Sequence, residues 1–309
     1  MLRSVTFPLE FIKRMIELGV DPHYDNDMPF IVSCRNKTID VPLYFINEYH
    51  VDVNVQNGSA AQFCNLDILK MLLDHGLKIT KYLINRSINN LNTIELIKLL
   101  RAYGANLQEL LECCSGNINK INSNETIYFL IEEIAKTNEI IYSKVINVFF
   151  VQVNVVTELT IEQIKILVGA GANLRCDNDH PFLCSCKHGN IKTFFYFLHE
   201  CNVDINSHNS DALQIAIKFN SYEIANFLLE SGIKITDEAI KMCFSDMQYL
   251  QLLINNDVGM ERIAKLYMNL LISSQPNSLS SLKCAKLLIR SGIDFNQYIL
   301  NSNDNDIIF

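Results

Sequence analysis

The densest group of side chains able to do chemistry is Cys176, His180, Cys184, Cys186 and His188. Thiolate and imidazole are the ligands zinc prefers, so a metal site is the first chemistry to weigh against the spacing. The cysteine separations do not match the short Cys-x-x-Cys of a zinc knuckle, and on a helix Cys184 and Cys186 point to different faces. Cys113 and Cys114 sit on a helix expected from Leu107 to Cys114, where neighbours diverge by about 100° and cannot share an ion. One of these two thiols is expected to be buried and the other partly exposed. A nucleophile, a base and an orienting acid can be drawn from the Cys, His and Asp residues, but no short segment places them together. No Gly-rich phosphate loop is present, and most Gly residues stand where helices end. The residues therefore predict no enzyme activity, no cofactor and no metal.

The element that must position all these side chains is a nine-residue phrase, roughly apolar-Ile-Lys-x-Leu-Leu-x-x-Gly. Clear copies end at Gly19, Gly76, Gly104, Gly171, Gly232 and Gly292, and weaker ones at His50, Asn202 and Asn256. A degenerate copy, 126–134, lies in the long interval between Gly104 and Gly171. The tails rhyme as well, as Val-Asp-Val-Asn (51–54), Gly-Ala-Asn-Leu (104–107 and 171–174) and Val-Asp-Ile-Asn (203–206). Self-similarity at a period of about 30 residues marks a repeat protein.

Each unit reads as two helices. His180-Pro181-Phe182 opens the first, with Pro in the first turn, where its missing N–H costs nothing, and Gly189-Asn190 breaks it. The second, Ile191 to Glu200, has apolar residues at 191, 194, 195, 197 and 198, one buried helical face. It must end in a left-handed residue, which Gly tolerates best and Asn next best; His50 is a less comfortable occupant. The tails are expected to project as extended, hairpin-forming loops. In Gly-Leu-Lys-Ile-Thr (76–80) and Gly-Ile-Lys-Ile-Thr (232–236) these loops are trimmed and run straight into the next helix, which is expected to weaken a continuous groove. Val145 to Val156, rich in β-branched and aromatic residues, reads alone as a strand, but its place between two second-helix copies makes it a first helix.

His180-Pro181-Phe182-Leu183-Cys184-Ser185-Cys186-Lys187-His188-Gly189-Asn190 through Val203-Asp204-Ile205-Asn206 resembles the ankyrin repeat, as do 211–232 and, in its opening, 28–34. In that frame Ser185 and Cys186 fill the small-residue slots that let neighbouring helices approach. The Thr-Pro-Leu-His tetrad of the family is nowhere intact, and 107–160 keeps little beyond apolar periodicity. The resemblance implies an all-α ankyrin-repeat solenoid of about 9–10 stacked helix-turn-helix units with short or trimmed β-hairpin loops. One array over 1–309 is expected, clearest at 25–107 and 161–296, degenerate at 108–160, with a polar tail at 297–309. The abundance of Asn and Ile looks like the ankyrin-repeat proteins of giant DNA viruses that infect amoebae, the mimivirus type.

Composition bounds the partners. Of 309 residues 49% are hydrophobic, which supplies a core, and a net charge of −8 without a Lys/Arg run argues against nucleic acid and anionic lipid. Ten Cys, scattered in apolar segments, read as reduced core residues and an intracellular setting, in the host cytoplasm or nucleus if the chain is viral. No signal peptide is visible, and no stretch approaches the ~20 apolar residues of a membrane span.

The resemblance implies protein recognition through a concave face, without chemistry. The contact is expected at the tips Asp177-Asn178-Asp179 and Ser207-His208-Asn209 and at Lys187, His188, Lys218 and Phe219 on the adjoining first helices. The partner is expected to be a host protein, basic overall, and the chain a monomer. The alternatives are an adaptor delivering a bound target to a ubiquitin ligase and a self-associating structural component.

Overall fold

Nineteen α-helical segments form among the residues that the computed structural model describes, nearly all of them closed by apolar residues spaced three and four apart; one, Val55–Gly58, is a four-residue turn at a loop tip. These residues are 7–35, 38–62, 64–88, 91, 93–121, 124–137, 141–273 and 279–295; side chains of 120, 156, 207–210, 272–273 and 279–281 are outside the description. The tail 297–309 lies outside it as well. The contacts divide the chain into two compact units, Met1–Thr157 with Lys165–Ala172, and Glu158–Ile164 with Asn173–Phe309.

The first unit opens with α1 (Leu9–Glu17) and continues in pairs: α2 (Tyr24–Ser33) with α3 (Asp40–Tyr49), then α4 (Val55–Gly58) and a 3₁₀ turn (Ser59–Gln62) with α5 (Leu66–Asp74). Next come α6 (Lys81–Ile88) with α7 (Thr93–Ala102), α8 (Leu107–Gly116) with α9 (Asn124–Lys136), and α10 (Ser143–Val156). The division between the units falls within α11 (Ile161–Gly169). The second unit pairs α12 (Cys176–His188) with α13 (Ile191–Cys201) and α14 (Ser207–Lys218) with α15 (Tyr222–Glu230). It ends with α16 (Asp237–Cys243) and α17 (Met247–Asn255), then α18 (Met260–Ser273) and α19 (Leu279–Arg290).

First helices stack on first helices and second on second. In the second unit α12, α14, α16 and α18 follow one another, as do α13, α15, α17 and α19; in the first, α6, α8 and α10 stack, and α7 lies on α9. This is an all-α repeat solenoid, in which each pair covers apolar surface that its neighbour cannot bury alone. The strand-like run of α10 shows tertiary packing overriding local propensity. Ile146, Phe149, Phe150 and Val153 are fully buried, and their spacing is one helical stripe facing α8.

The second helices end as the repeat phrase requires. Gly232 has φ +75°; its N–H donates to the Leu229 carbonyl (3.0 Å), and the Ile233 N–H reaches back to Leu228 (3.1 Å), a Schellman motif. His50 and Asn202 also take left-handed φ, 54° and 47°. Asn256 does not. It has φ −97°, and Asp257, at φ 51°, holds the slot, with N–H bonds from Asp257 to Ile254 (3.2 Å) and from Val258 to Leu253 (3.2 Å). The repeat phrase is thus registered one residue later here, because buried Val258 must sit where Ile233 sits.

No strand forms among the described residues, so the expected hairpins are replaced by turns. Asp21, Asp52, Asn173 and Asp204 each accept, through Oδ1, the N–H two residues on at 2.9 Å, an Asx turn that folds the tail back. The tips that follow are left-handed: Asp25–Asp27, Gln56–Gly58 and Asp177–Asp179 all have positive φ. The first helices adopt helical angles only after these tips, so Pro29 and Pro181 sit in true first turns. In both units the Asn of the tail ties its repeat to the next. Asn54 Oδ1 accepts the Lys78 N–H (2.8 Å) while its Nδ2 donates to the Gly76 carbonyl (3.1 Å), and Asn206 Oδ1 accepts the Lys234 N–H (2.6 Å). The trimmed loops then enter the next helix through Thr caps, the Leu83 N–H donating to Thr80 Oγ1 (3.2 Å) and that of Ala239 to Thr236 Oγ1 (3.2 Å). Among the described residues no helix is long and apolar enough to cross a membrane.

Candidate protein-binding surface

The cysteines serve the stack. Cys184 and Cys186 do point to different faces of α12, yet both are buried, because a first helix is enclosed on more than one side. Burial pushes the Cys184 thiol up to about 11 against the partial opposition of the Lys187 ammonium, and it raises Cys186 further. Cys113 and Cys114 are both buried, which corrects the expectation of one partly exposed thiol: Cys113 faces the start of α6, its Sγ 3.8 Å from the Lys81 carbonyl oxygen. Desolvation holds Cys113 at about 11 and Cys114 at about 12, so neither offers a thiolate at neutral pH. Among the described residues no three His, Cys, Asp or Glu groups are placed to hold a metal ion. His180 Nε2 is buried without a hydrogen-bond partner among them.

The residues expected to make contact fall into two groups. α12 runs between them: counted from His180, where helical angles begin, seven residues at about 1.5 Å each set Lys187 about 10 Å along the helix from the tip. At the tip Asp177 and Asn178 are exposed, but Asp179 is not. Its carboxylate is 5% exposed and accepts two bonds from Arg175, from Nε at 2.7 Å and from Nη2 at 2.8 Å. Asp179 is therefore a clamp that holds the left-handed tip rather than a contact residue. His208 and Asn209 lie on α14 with side chains outside the description.

At the other end the structure brings three expected residues together. Phe219, 45% exposed just after α14, has the Lys218 ammonium 5.6 Å and the Lys187 ammonium 5.5 Å from its ring centroid. Direct stacking of α12 on α14 creates this arrangement, a cation–π cluster with two cations on one half-exposed ring. His188, next to Lys187 in sequence, is half-buried. Such a spot suits a contact with an apolar group flanked by negative charge, whatever the sign of the chain's net charge.

The first unit holds a feature that residue types alone did not reveal. The tip Val55–Gly58 has no counterpart in the next repeat, whose loop is trimmed to Gly76–Thr80, and the difference leaves a recess of about 670 Å³. It is lined by Asn54, Gln56, Asn57, Lys78, Thr80 and Tyr82. Gln56 is pinned to the preceding tip, its Nε2 donating to the Asn26 carbonyl at 3.0 Å, and Asn54 is fixed by its bonds to the trimmed loop. Tyr82 is 48% exposed, with the Arg86 guanidinium 5.5 Å from its ring centroid. The trimmed loop leaves this recess open beside the tip. A second recess of about 500 Å³ lies between α8 and α10, with Glu112, Lys144 and Val148 in its wall. The signal for the first was present in the sequence, as a full tail followed by Gly-Leu-Lys-Ile-Thr, but only packing shows that the missing tip leaves open space.

Compared with known proteins, residues 155–239 match the family model described as ankyrin repeats, in three copies. That span runs from the end of α10 to the start of α16 and contains the helix ends at Gly171, Asn202 and Gly232. No curated protein matches the chain. Ankyrin repeats are in general protein–protein interaction modules and typically have no enzymatic activity.

Proposed function

We propose, on the premise that residues 155–239 are ankyrin repeats, that this protein recognises another protein through its loop tips and first helices, and performs no chemistry of its own. The observation that carries this reading is the Lys187–Phe219–Lys218 cluster, where stacked first helices hold a half-exposed ring between two cations. A rigid frame presenting such side chains loses little entropy on binding, and aromatic and cationic residues at its surface are what interfaces concentrate energy on. Asn178 at the tip and His208 and Asn209 on α14 extend the proposed contact, while Asp179 is assigned a supporting part. The resemblance to viral ankyrin proteins makes a host protein, inside the cell, the partner to seek. The test is affinity capture by the tagged full chain beside a Lys187→Ala, Lys218→Ala, Phe219→Ala variant of unchanged helicity. One stoichiometric partner lost in the variant supports the reading; a partner retained by the variant removes the cluster from the interface. Recovery of the bait alone counts against recognition.

Self-association is a second reading, and α1 favours it. That helix has no buried residue; Phe11 and Met15 are 44% and 37% exposed along it, and Leu18, just after it, is 69% exposed. Light scattering across a concentration series decides: a constant monomer mass refutes it.

A further inference from the structure

We propose that the recess between the tip Val55–Gly58 and the trimmed loop Gly76–Thr80 takes an acidic linear segment of the partner protein, with one carboxylate on Lys78 and an adjoining apolar side chain on Tyr82. The inference rests on the protein-recognition reading and gives it a subsite in the first unit.

Charge is the first argument. The chain has 34 acidic residues against 26 basic ones, yet the six lining residues carry one formal charge, and it is positive. Lys78 is exposed, and no ion pair involves it among the described residues, whereas Lys81, three residues on, is engaged by Glu112. An ammonium with no carboxylate beside it in an acidic protein is a point where an incoming carboxylate gains attraction without first displacing a resident one.

Shape and donor inventory are the second. The amides of Gln56 and Asn54 are already committed to neighbouring loops, so the wall is preorganised rather than collapsible. The Asn57 amide and the Thr80 hydroxyl add neutral polar groups beside the ammonium, and Tyr82 supplies a ring whose outer half is in solvent. At about 670 Å³ the recess accommodates side chains, not a folded domain. It lies among the loop tips and opens beside α6, so an extended segment can enter it while the rest of the partner rests on the first helices.

The probe is a displayed library of random linear peptides, selected on the immobilised full chain. Enriched peptides are then measured by fluorescence anisotropy against the full chain and against Lys78→Glu, Tyr82→Ala and the distant charge control Lys192→Glu. Circular dichroism melts check that each variant is folded, which the exposure of Lys78, Tyr82 and Lys192 favours. The expected result is enrichment of Asp or Glu next to an apolar residue, with affinity falling about tenfold or more in Lys78→Glu and Tyr82→Ala and by less than about twofold in Lys192→Glu. Replacing the peptide's acid by its amide is expected to reproduce the Lys78→Glu loss. Peptides without an acid, or binding indifferent to Lys78→Glu, overturn the proposal. If no enriched peptide depends on Lys78, or if no peptide is enriched, while the capture experiment still yields a partner, the recess is refuted and protein recognition stands.

Discussion

Replacing His50 by Gly is expected to stabilise the protein, although it deletes an entire side chain. His50 ends α3 with φ 54° and ψ 36°, in the slot that Gly fills after most second helices, and its side chain is exposed. A left-handed conformation costs an ordinary L-residue about 1–2 kcal/mol, and Gly returns about 0.5–1 kcal/mol of that through the greater freedom of its unfolded chain. The balance is a gain of about 0.5–1 kcal/mol. Two comparisons isolate the cause. Asn202→Gly, at φ 47°, is expected to be near neutral because Asn tolerates this region. Gly104→Ala, at φ +82° with nothing within 4 Å of the added Cβ, is expected to lose about 1 kcal/mol from conformation alone. Urea unfolding followed by far-ultraviolet circular dichroism reads all three. A loss in His50→Gly, or an equal gain in Asn202→Gly, refutes the reasoning, since either means that contacts rather than φ dominate the slot.

Three further outcomes follow from other contacts. Asn54→Ala removes two bonds that join consecutive repeats and is expected to cost about 1–2 kcal/mol in urea unfolding, with Asn206→Ala costing less because one such bond is present there. Burial holds the Cys64, Cys114 and Cys243 thiols up at about 12, against 9.0 for a free thiol. Between pH 9 and 12 the unfolded chain therefore releases protons that the folded chain keeps, so this stabilisation is complete below pH 9 and falls as pH rises; urea midpoints compared at neutral pH and at about pH 10 should show the fall, and Cys→Ala at these positions should flatten it. Arg175→Ala leaves the Asp179 carboxylate buried without its two-bond partner, and is expected to lower the unfolding midpoint more than Lys13→Ala, which breaks an exposed pair with Glu10.

Helical repetition is local and was legible. The phrase that ends at Gly232 carries both the amphipathic stripe and the left-handed stop, so the residues themselves fix where α15 lies and where it ends. The same reasoning placed Val145 to Val156 in a helix, since a position in the repeat outweighs β propensity. It failed by one residue at Asn256, where Asn and Asp are adjacent and either tolerates positive φ. The choice of Asp257 depends on which residue brings Val258 into the core. Nor do the residues alone show that Asp179 is buried: an Asp-Asn-Asp triplet reads as a solvated tip, and only the fold brings Arg175 onto its carboxylate.

The sequence by itself thus determined the helices, the period and the places where the chain must turn, because these depend on backbone conformation and apolar spacing within a few residues, though not the turns that stand where hairpins were expected. Only the tertiary structure decided what the surface offers. Whether two lysines converge on Phe219 depends on how α12 and α14 stack, and whether a shortened loop closes a groove or opens a recess above Lys78 and Tyr82 depends on what its neighbour projects into the same space. Both are relations between residues about 20 to 30 positions apart, brought together by burial of apolar faces that carry no information about the polar groups riding on them.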